Sequence, residues 1–299
     1  MKLTQPVLLQ SFEDEFKLPD GHAPNTPAVP STILRDVEER NQVDYKEQKI
    51  FRSGVGKLLH LKRWSRPEIG NAVRELTRMT GKAGIVHMTA MKRCMKYCIG
   101  TAKRGLILKP DTVWDGNPNF EFRITGKSDS DFAKDPSRRS VSGWSTFLCG
   151  APVTEKSNMQ PITALSVTEA ELIAGSSCVQ DMIFEKRILE SMGLKVKLPM
   201  VLEMDNKGAA DLINNWSTGG RTRHIDCRLY FMRELKEEEI LKVVWIPGSK
   251  NSSDLFTKNL LGPDFERHSA DYVGEGNSND SQGENVGGDQ NSTSDLTSE

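Results

Sequence analysis

Phe120-Glu121-Phe122-Arg123-Ile124-Thr125-Gly126-Lys127 alternates apolar and polar side chains and runs into Ser128-Asp129. Alternation with a period of two marks a strand with one buried face, here a strand expected to end on a carboxylate. The same reading extends outward. Val141 to Cys149 and Ala151 to Lys156 are two more strands, joined tightly through Gly150-Ala151. A long helix is predicted from about Ser166 to Met192, with Gly193 at the usual C′ position. Met200 to Met204 is a short buried strand, followed by helices over about Lys207 to Asn214 and His224 to Glu238. Leu241 to Ile246 is the last strand, stopped by Pro247-Gly248, and Ser253 to Lys258 opens a final helix. Three meandering strands extended by parallel ones through helical crossovers make an α/β domain, a mixed five-stranded sheet with flanking helices.

Ahead of this domain the chain is helical. Leu3 to Phe16 reads as a short amphipathic helix, and Leu18 to Pro30 as a proline-containing connector. Three helices are expected between Tyr45 and Lys103: Tyr45 to Leu61, a second opened by Arg66-Pro67, and a third from about Ala83 to Ala102. Residues 41–110 carry 16 Lys and Arg against 4 Asp and Glu, whereas residues 262–299 carry 1 Arg against 9 acids. The formal net charge of -1 therefore hides a basic front and an acidic tail. Any single lysine there reads as part of a solvated face, but the set as a whole suits a phosphate backbone through counterion release. The tail past Phe265 is Gly, Ser, Asn, Asp and Glu, and is expected to be disordered. The expected divisions are 1–117 helical, 118–262 α/β and 263–299 disordered.

Five cysteines (Cys94, Cys98, Cys149, Cys178, Cys227) show no disulfide-framework spacing, and no apolar run is long enough for a bilayer. With no basic-then-apolar leader at Met1, the expectation is a reduced protein of the cytoplasm or nucleus, with no membrane partner. Cys94 and Cys98 lack further Cys or His at ligand spacing and are not read as a zinc site.

The carboxylates carry the chemistry. Asp129 and Asp205 each end a sheet strand, where α/β sites usually form, and on adjacent strands they would face one crevice. Taken alone, either reads better as a turn or helix cap. Ser166-Val167-Thr168-Glu169 is a capping box, which gives Glu169 a structural task. Glu171 lies about 200° further around that helix and is the expected ligand, with the reverse assignment left open. Asp254 alone would be a favourable first-turn charge. Together, however, four such acids repel one another unless a cation neutralises them. Hard oxygen donors without Cys or His favour Mg²⁺ or Mn²⁺ over zinc. Two such ions could activate a water and stabilise the leaving oxygen of a phosphodiester.

Several stretches resemble the C-terminal part of copia-type retrotransposon polyproteins. They are Ser128-Asp129-Ser130-Asp131-Phe132-Ala133, then Arg138-Arg139-Ser140-Val141-Ser142-Gly143, then Ala164-Leu165-Ser166-Val167-Thr168-Glu169-Ala170-Glu171-Leu172-Ile173-Ala174. Asp205-Asn206, Arg221-Thr222-Arg223-His224-Ile225-Asp226 and Asp254-Leu255-Phe256-Thr257-Lys258 complete the series in order. Phe51 to Leu61 and Arg66-Pro67-Glu68-Ile69 resemble the segment that follows the polymerase site in that family, its thumb or connection. The resemblance implies a ribonuclease H-like domain that cuts the RNA strand of an RNA–DNA hybrid. It gives Asp129, Glu171, Asp205 and Asp254 the metal-ligand roles and makes Mg²⁺, as two ions, the expected cofactor, with Mn²⁺ as a substitute. It also implies the upstream polymerase part of the polyprotein as a partner, and a virus-like particle as the setting of an active element.

Two departures stand out. No Tyr-X-Asp-Asp polymerase motif occurs, so Met1 reads as an internal start or a truncated gene model, and Phe132 stands where the family usually has Trp. The histidine that follows the last strand in cellular ribonuclease H is missing from Trp245-Ile246-Pro247-Gly248-Ser249. His224 could serve a related purpose, or cap its helix. Arg221 and Arg223 at that helix start could hold phosphate, and Asn206 could read 2′-hydroxyl groups. Solvated-turn and turn-forming roles compete with these. An alternative to the nuclease is a non-catalytic nucleic-acid-binding remnant of a decayed element. A transposase or integrase of the same fold fits less well, because the order of elements is uninterrupted and the fourth acid is present.

Overall fold

The computed structural model describes residues 1–215 and 226–275. The front of the chain forms β1 (Lys2–Leu3) and four helices: α1 (Pro6–Glu15), α2 (Tyr45–Trp64), α3 (Gly70–Arg78) and α4 (Ile85–Gly100). Asp44 caps α2 by accepting the Glu47 amide at 2.8 Å. Pro67 opens a 3₁₀ turn (Pro67–Ile69) leading into α3, since a proline needs no amide partner in a first turn. A short strand, β2 (Gly105–Ile107), follows.

The first domain strand is split. β3 (Glu121–Phe122) pairs in parallel with β7 (Lys195–Val196), and its ring packs against Trp114 and Phe120. β4 (Ile124–Asp131), β5 (Val141–Leu148) and β6 (Ala151–Met159) then form the antiparallel meander. The helix α5 (Val167–Ser191) crosses to β8 (Met200–Met204), which runs parallel to β4. After α6 (Lys207–Asn214) and α7 (Asp226–Glu237) comes β9 (Leu241–Trp245), parallel to β8. The sheet order is β6-β5-β4-β8-β9, the expected mixed five-stranded sheet.

Apolar side chains fix the layers. Leu172, Val179, Met182, Ile213, Leu229 and Met232 of α5–α7 bury against Ile124, Leu202 and Val243 of the sheet. Gly126 is needed for that contact, because a Cβ there would stand 2.6 Å from both Cys178 Sγ and Met182 Sδ. A second cluster joins Phe51, Leu58, Leu76 and Met91 of the front helices to Phe147, Leu255 and Phe256 of the α/β part. The expected division near 117 thus does not separate two cores.

The expected tail is corrected for its first residues. Gly262–Ser269 is a helix, α8, and β10 (Val273–Gly274) pairs with β2, which also pairs with β1. Phe265, Tyr272 and Val273 are buried in the second cluster, and this burial orders a segment whose composition is otherwise polar. The rest of the expected tail, and the expected helix start at His224, lie outside the described residues.

Candidate metal centre

Asp129 lies inside β4, two residues before its end and opposite Gly143 of β5. The strand continues to Asp131 instead of stopping at Asp129 as expected. Gly143 leaves room for the 3₁₀ turn Ser252–Phe256: a Cβ there would stand 2.7 Å from Thr257 Cγ2 and 2.9 Å from the Ser253 carbonyl oxygen. That turn carries Asp254, expected at the start of an α-helix. Asn251 ties the turn to the sheet by donating to the Ser128 carbonyl at 2.8 Å. Asp205 follows directly on β8, and its carbonyl accepts the Trp245 indole N–H at 2.9 Å.

Glu171 arrives from the other side. Ser166 caps α5 by accepting the Glu169 amide at 3.1 Å, while Glu169 Oε2 accepts the Leu165 amide at 2.6 Å. Glu169 is the capping acid, as expected, with its reciprocal bond landing one residue before the cap. Glu171 shares the sheet-facing side of α5 with Gly175, Cys178 and Met182, at successive spacings of four, three and four. Its Oε1 accepts the Ser130 amide at 3.2 Å, while its Oε2 is buried with no hydrogen-bond partner among the described residues.

Side-chain oxygens of Asp129, Asp205 and Asp254 all lie within 4.8 Å of one another. Burial, then the charges of Asp129 and Asp205, push Glu171 up to about 9. Burial and Asp129 push Asp254 up to about 7, and the same two causes raise Asp205. Each shift has the same meaning: the pocket holds more negative charge than it can solvate. The ligand atoms that converge here are all oxygens, and one of them is buried without a partner among the described residues. The set fits a hard divalent cation, which would satisfy Glu171 Oε2 and relieve the repulsion together.

The structure adds residues that pattern reading overlooked. Lys258 Nζ lies 2.6 Å from Asp254 Oδ1 and 3.2 Å from Asp129 Oδ2. Burial alone would lower its pKa, but Asp129 and Asp254 outweigh that and raise it. The Thr257 hydroxyl donates to Asp129 Oδ2. His268 of α8 is buried with Nε2 3.9 Å from Asp254 Oδ2, and burial and Arg267 lower its pKa. The one sequence signal was the four-residue spacing from Asp254 to Lys258. His268 sat in the stretch expected to be disordered.

The expected nucleic-acid contacts fare differently. Asn206 is the N-cap of α6, its Oδ1 accepting the Ala209 amide at 2.9 Å. Arg221, Arg223 and His224 lie outside the described residues.

The chain is 33% identical over 271 residues to the retrovirus-related Pol polyprotein from transposon TNT 1-94 of Nicotiana tabacum, covering 88% of this chain. It is 29% identical over 242 residues to the corresponding polyprotein from transposon RE1 of Arabidopsis thaliana, covering 81% of this chain. Its homologues are retrovirus-related Pol polyproteins of copia-type transposons. This Pol homologue spans 19% and 16% of the length of those two relatives. No protein-family model matches it. The solved LC11 ribonuclease H1 from compost aligns over 45% of this chain and 92% of its own, at 18% identity and a TM-score of 0.34. The strand order of the Pol homologue, β6-β5-β4-β8-β9 with helices on the sheet, is that of the expected mixed five-stranded α/β domain.

Proposed function

We propose that the sheet domain of this Pol homologue is a divalent-metal-dependent endonuclease that cleaves the RNA strand of RNA–DNA hybrids, as the ribonuclease H portion of a retrotransposon polyprotein. The observation that carries this is the convergence of Asp129, Asp205 and Asp254 within 4.8 Å beside the buried Glu171 Oε2, which has no partner among the described residues. Asp129, Glu171, Asp205 and Asp254 would hold two Mg²⁺ ions, with Mn²⁺ as a substitute. When bound, the ions supply Lewis-acid charge and an activated water at the scissile phosphate. The chain's own residues set the site in place. Ser130 N–H and Thr257 orient Glu171 and Asp129, while Asn251 fixes the turn that presents Asp254. Residues 118–262 are the nuclease part in this reading. Residues 1–117 are a thumb or connection piece that helps position a duplex for the upstream polymerase, and the reaction belongs to the cytoplasm, nucleus or particle where the element is copied.

A second reading is a binding remnant without catalysis. It is favoured by Lys258, which already neutralises part of the acidic set. Cleavage of a labelled RNA–DNA hybrid in Mg²⁺ separates the two, with Asp205→Asn run beside the wild type. RNA cleavage by the wild type alone supports the nuclease. A folded wild type that binds the hybrid but leaves it intact in Mg²⁺ and Mn²⁺ supports the remnant.

A further inference from the structure

The carboxylate set has two unlike sides that share Asp129. On one side Lys258 bridges Asp129 and Asp254 at 3.2 and 2.6 Å. On the other, Glu171 faces the charges of Asp129 and Asp205 and keeps Oε2 without a partner among the described residues. The backbone around Lys258 is pinned. Asn259 accepts the Ser31 amide on its carbonyl at 2.8 Å and donates from Nδ2 to the Thr32 carbonyl at 2.8 Å. Its Oδ1 accepts from Asn71 Nδ2 at 2.9 Å, and on the other flank Thr257 is tied to Asp129. Any rearrangement of Lys258 would therefore fall on its side chain. Beside it lies a cavity of about 440 Å³, lined by Lys258 together with Arg74, Glu75, Asp131, Lys134, Asp135 and Asp264. Its carboxylates already pair with Arg74, Lys134, Arg78 and Arg267, so what the space offers a displaced ammonium is room and solvent.

Resting on the metal-centre reading above, we propose that Lys258 is a built-in counter-cation: it holds the Asp129–Asp254 side of the centre when no ion is bound there, and swings into the adjoining cavity when a divalent ion is taken up. An ammonium stabilises close carboxylates that would otherwise repel. The same ammonium at 2.6 Å from a ligand oxygen repels an arriving divalent ion. Lys258 therefore lowers affinity for the ion while stabilising the ion-free fold.

The test is Mn²⁺ binding by titration calorimetry on the whole chain, comparing wild type, Lys258→Met, Lys258→Gln and Lys250→Met. Lys250 is exposed, lies four residues before Asp254 and outside the cavity lining, and controls for simple loss of a nearby positive charge. Both Lys258 variants are expected to bind Mn²⁺ about tenfold more tightly, the worth of one charged hydrogen bond. Lys250→Met should change affinity by less than about threefold. In chelator, the Lys258 variants should melt below wild type, and saturating Mn²⁺ should raise their midpoints by more than it raises that of wild type. Unchanged or weaker Mn²⁺ binding by both Lys258 variants, with wild-type binding intact, would overturn the lysine's role and leave the metal centre standing. Absence of Mn²⁺ binding in wild type and variants alike would remove the metal centre itself, and the proposal with it.

Discussion

The acids of the sheet and the cations of the front helices are both dense sets of charge, yet the fold uses them in opposite ways. Asp129, Glu171, Asp205 and Asp254 come from widely separated stretches and end up facing one another. The basic residues between 41 and 110 are instead drawn apart, many of them to acids from elsewhere in the chain. Lys57 pairs with Glu15, Lys62 with Glu155, Arg78 with Asp135, Lys82 with Asp36 and Arg104 with Glu266. Arg66 and Glu68 form a fully buried pair at 2.6 Å. Lys96 donates to the carbonyls of Pro19, Asp20 and Gly21. A local charge count therefore overstates the front as a nucleic-acid surface, because the compensating acids lie outside the window counted. Like charges left facing each other in a buried place call for a ligand. Unlike charges paired across the chain call only for a fold.

The contrast can be broken by removing one member of each set. Asp129→Asn should abolish both metal binding and hybrid cleavage, the latter by on the order of a thousandfold, because Asp129 is common to both sides of the centre. Stopped-flow or gel cleavage assays on folded protein would check it. Retained cleavage would mean that the acids only look like a centre. In the front, Arg66→Met should cost about 3–5 kcal/mol of unfolding free energy, since it strands Glu68 in the core. Denaturant titration measures that loss, and the cleavage rate per folded molecule should stay near wild type.

The pH dependence sharpens the comparison further. Glu171 is raised from an ordinary 4.5 to about 9, and Asp254 from 3.8 to about 7. Raised acids favour the folded state in their protonated form, so without metal their contribution is fully present below pH 4 and is lost as the pH climbs. In chelator, stability should fall between about pH 5 and pH 9, and Mg²⁺ should flatten the slope by taking the place of the protons. An equal slope with and without Mg²⁺ would speak against the site. Smallest of all, Lys82→Ala should cost less than about 1 kcal/mol, because its pair with Asp36 is exposed. Thermal unfolding in low and high salt would test that.

What could be read in advance follows the same division. The five strands and α5 were legible because alternation and capping are local signals, visible in Phe122, Ile124 and Ser166 alone. The roles of Glu169 and Glu171 could be told apart by helix angle, and Glu169 is indeed the cap. The turn at Ser252–Phe256 was less so. Ser253 to Lys258 reads as the opening of a helix, whereas close packing at Gly143 holds the segment in a 3₁₀ turn and delivers Lys258 to Asp129. β1, β2 and β10 are two or three residues long, too short for periodicity to show, and they form where Lys2–Leu3 and Val273–Gly274 both pair along Gly105 to Ile107. Phe265 and Tyr272 lie in a segment whose composition is otherwise polar. In the fold their rings meet Tyr97, Phe147 and Phe256 in edge-on and tilted contacts, and they bring α8 with His268 to the rim of the centre.

Anomalous diffraction from crystals grown with Mn²⁺ tests most directly whether these four carboxylates hold the divalent ions. Anomalous density among Asp129, Glu171, Asp205 and Asp254 is the expected result. Hybrid cleavage in the same Mn²⁺ buffer with no density there, or with density only elsewhere, would contradict it.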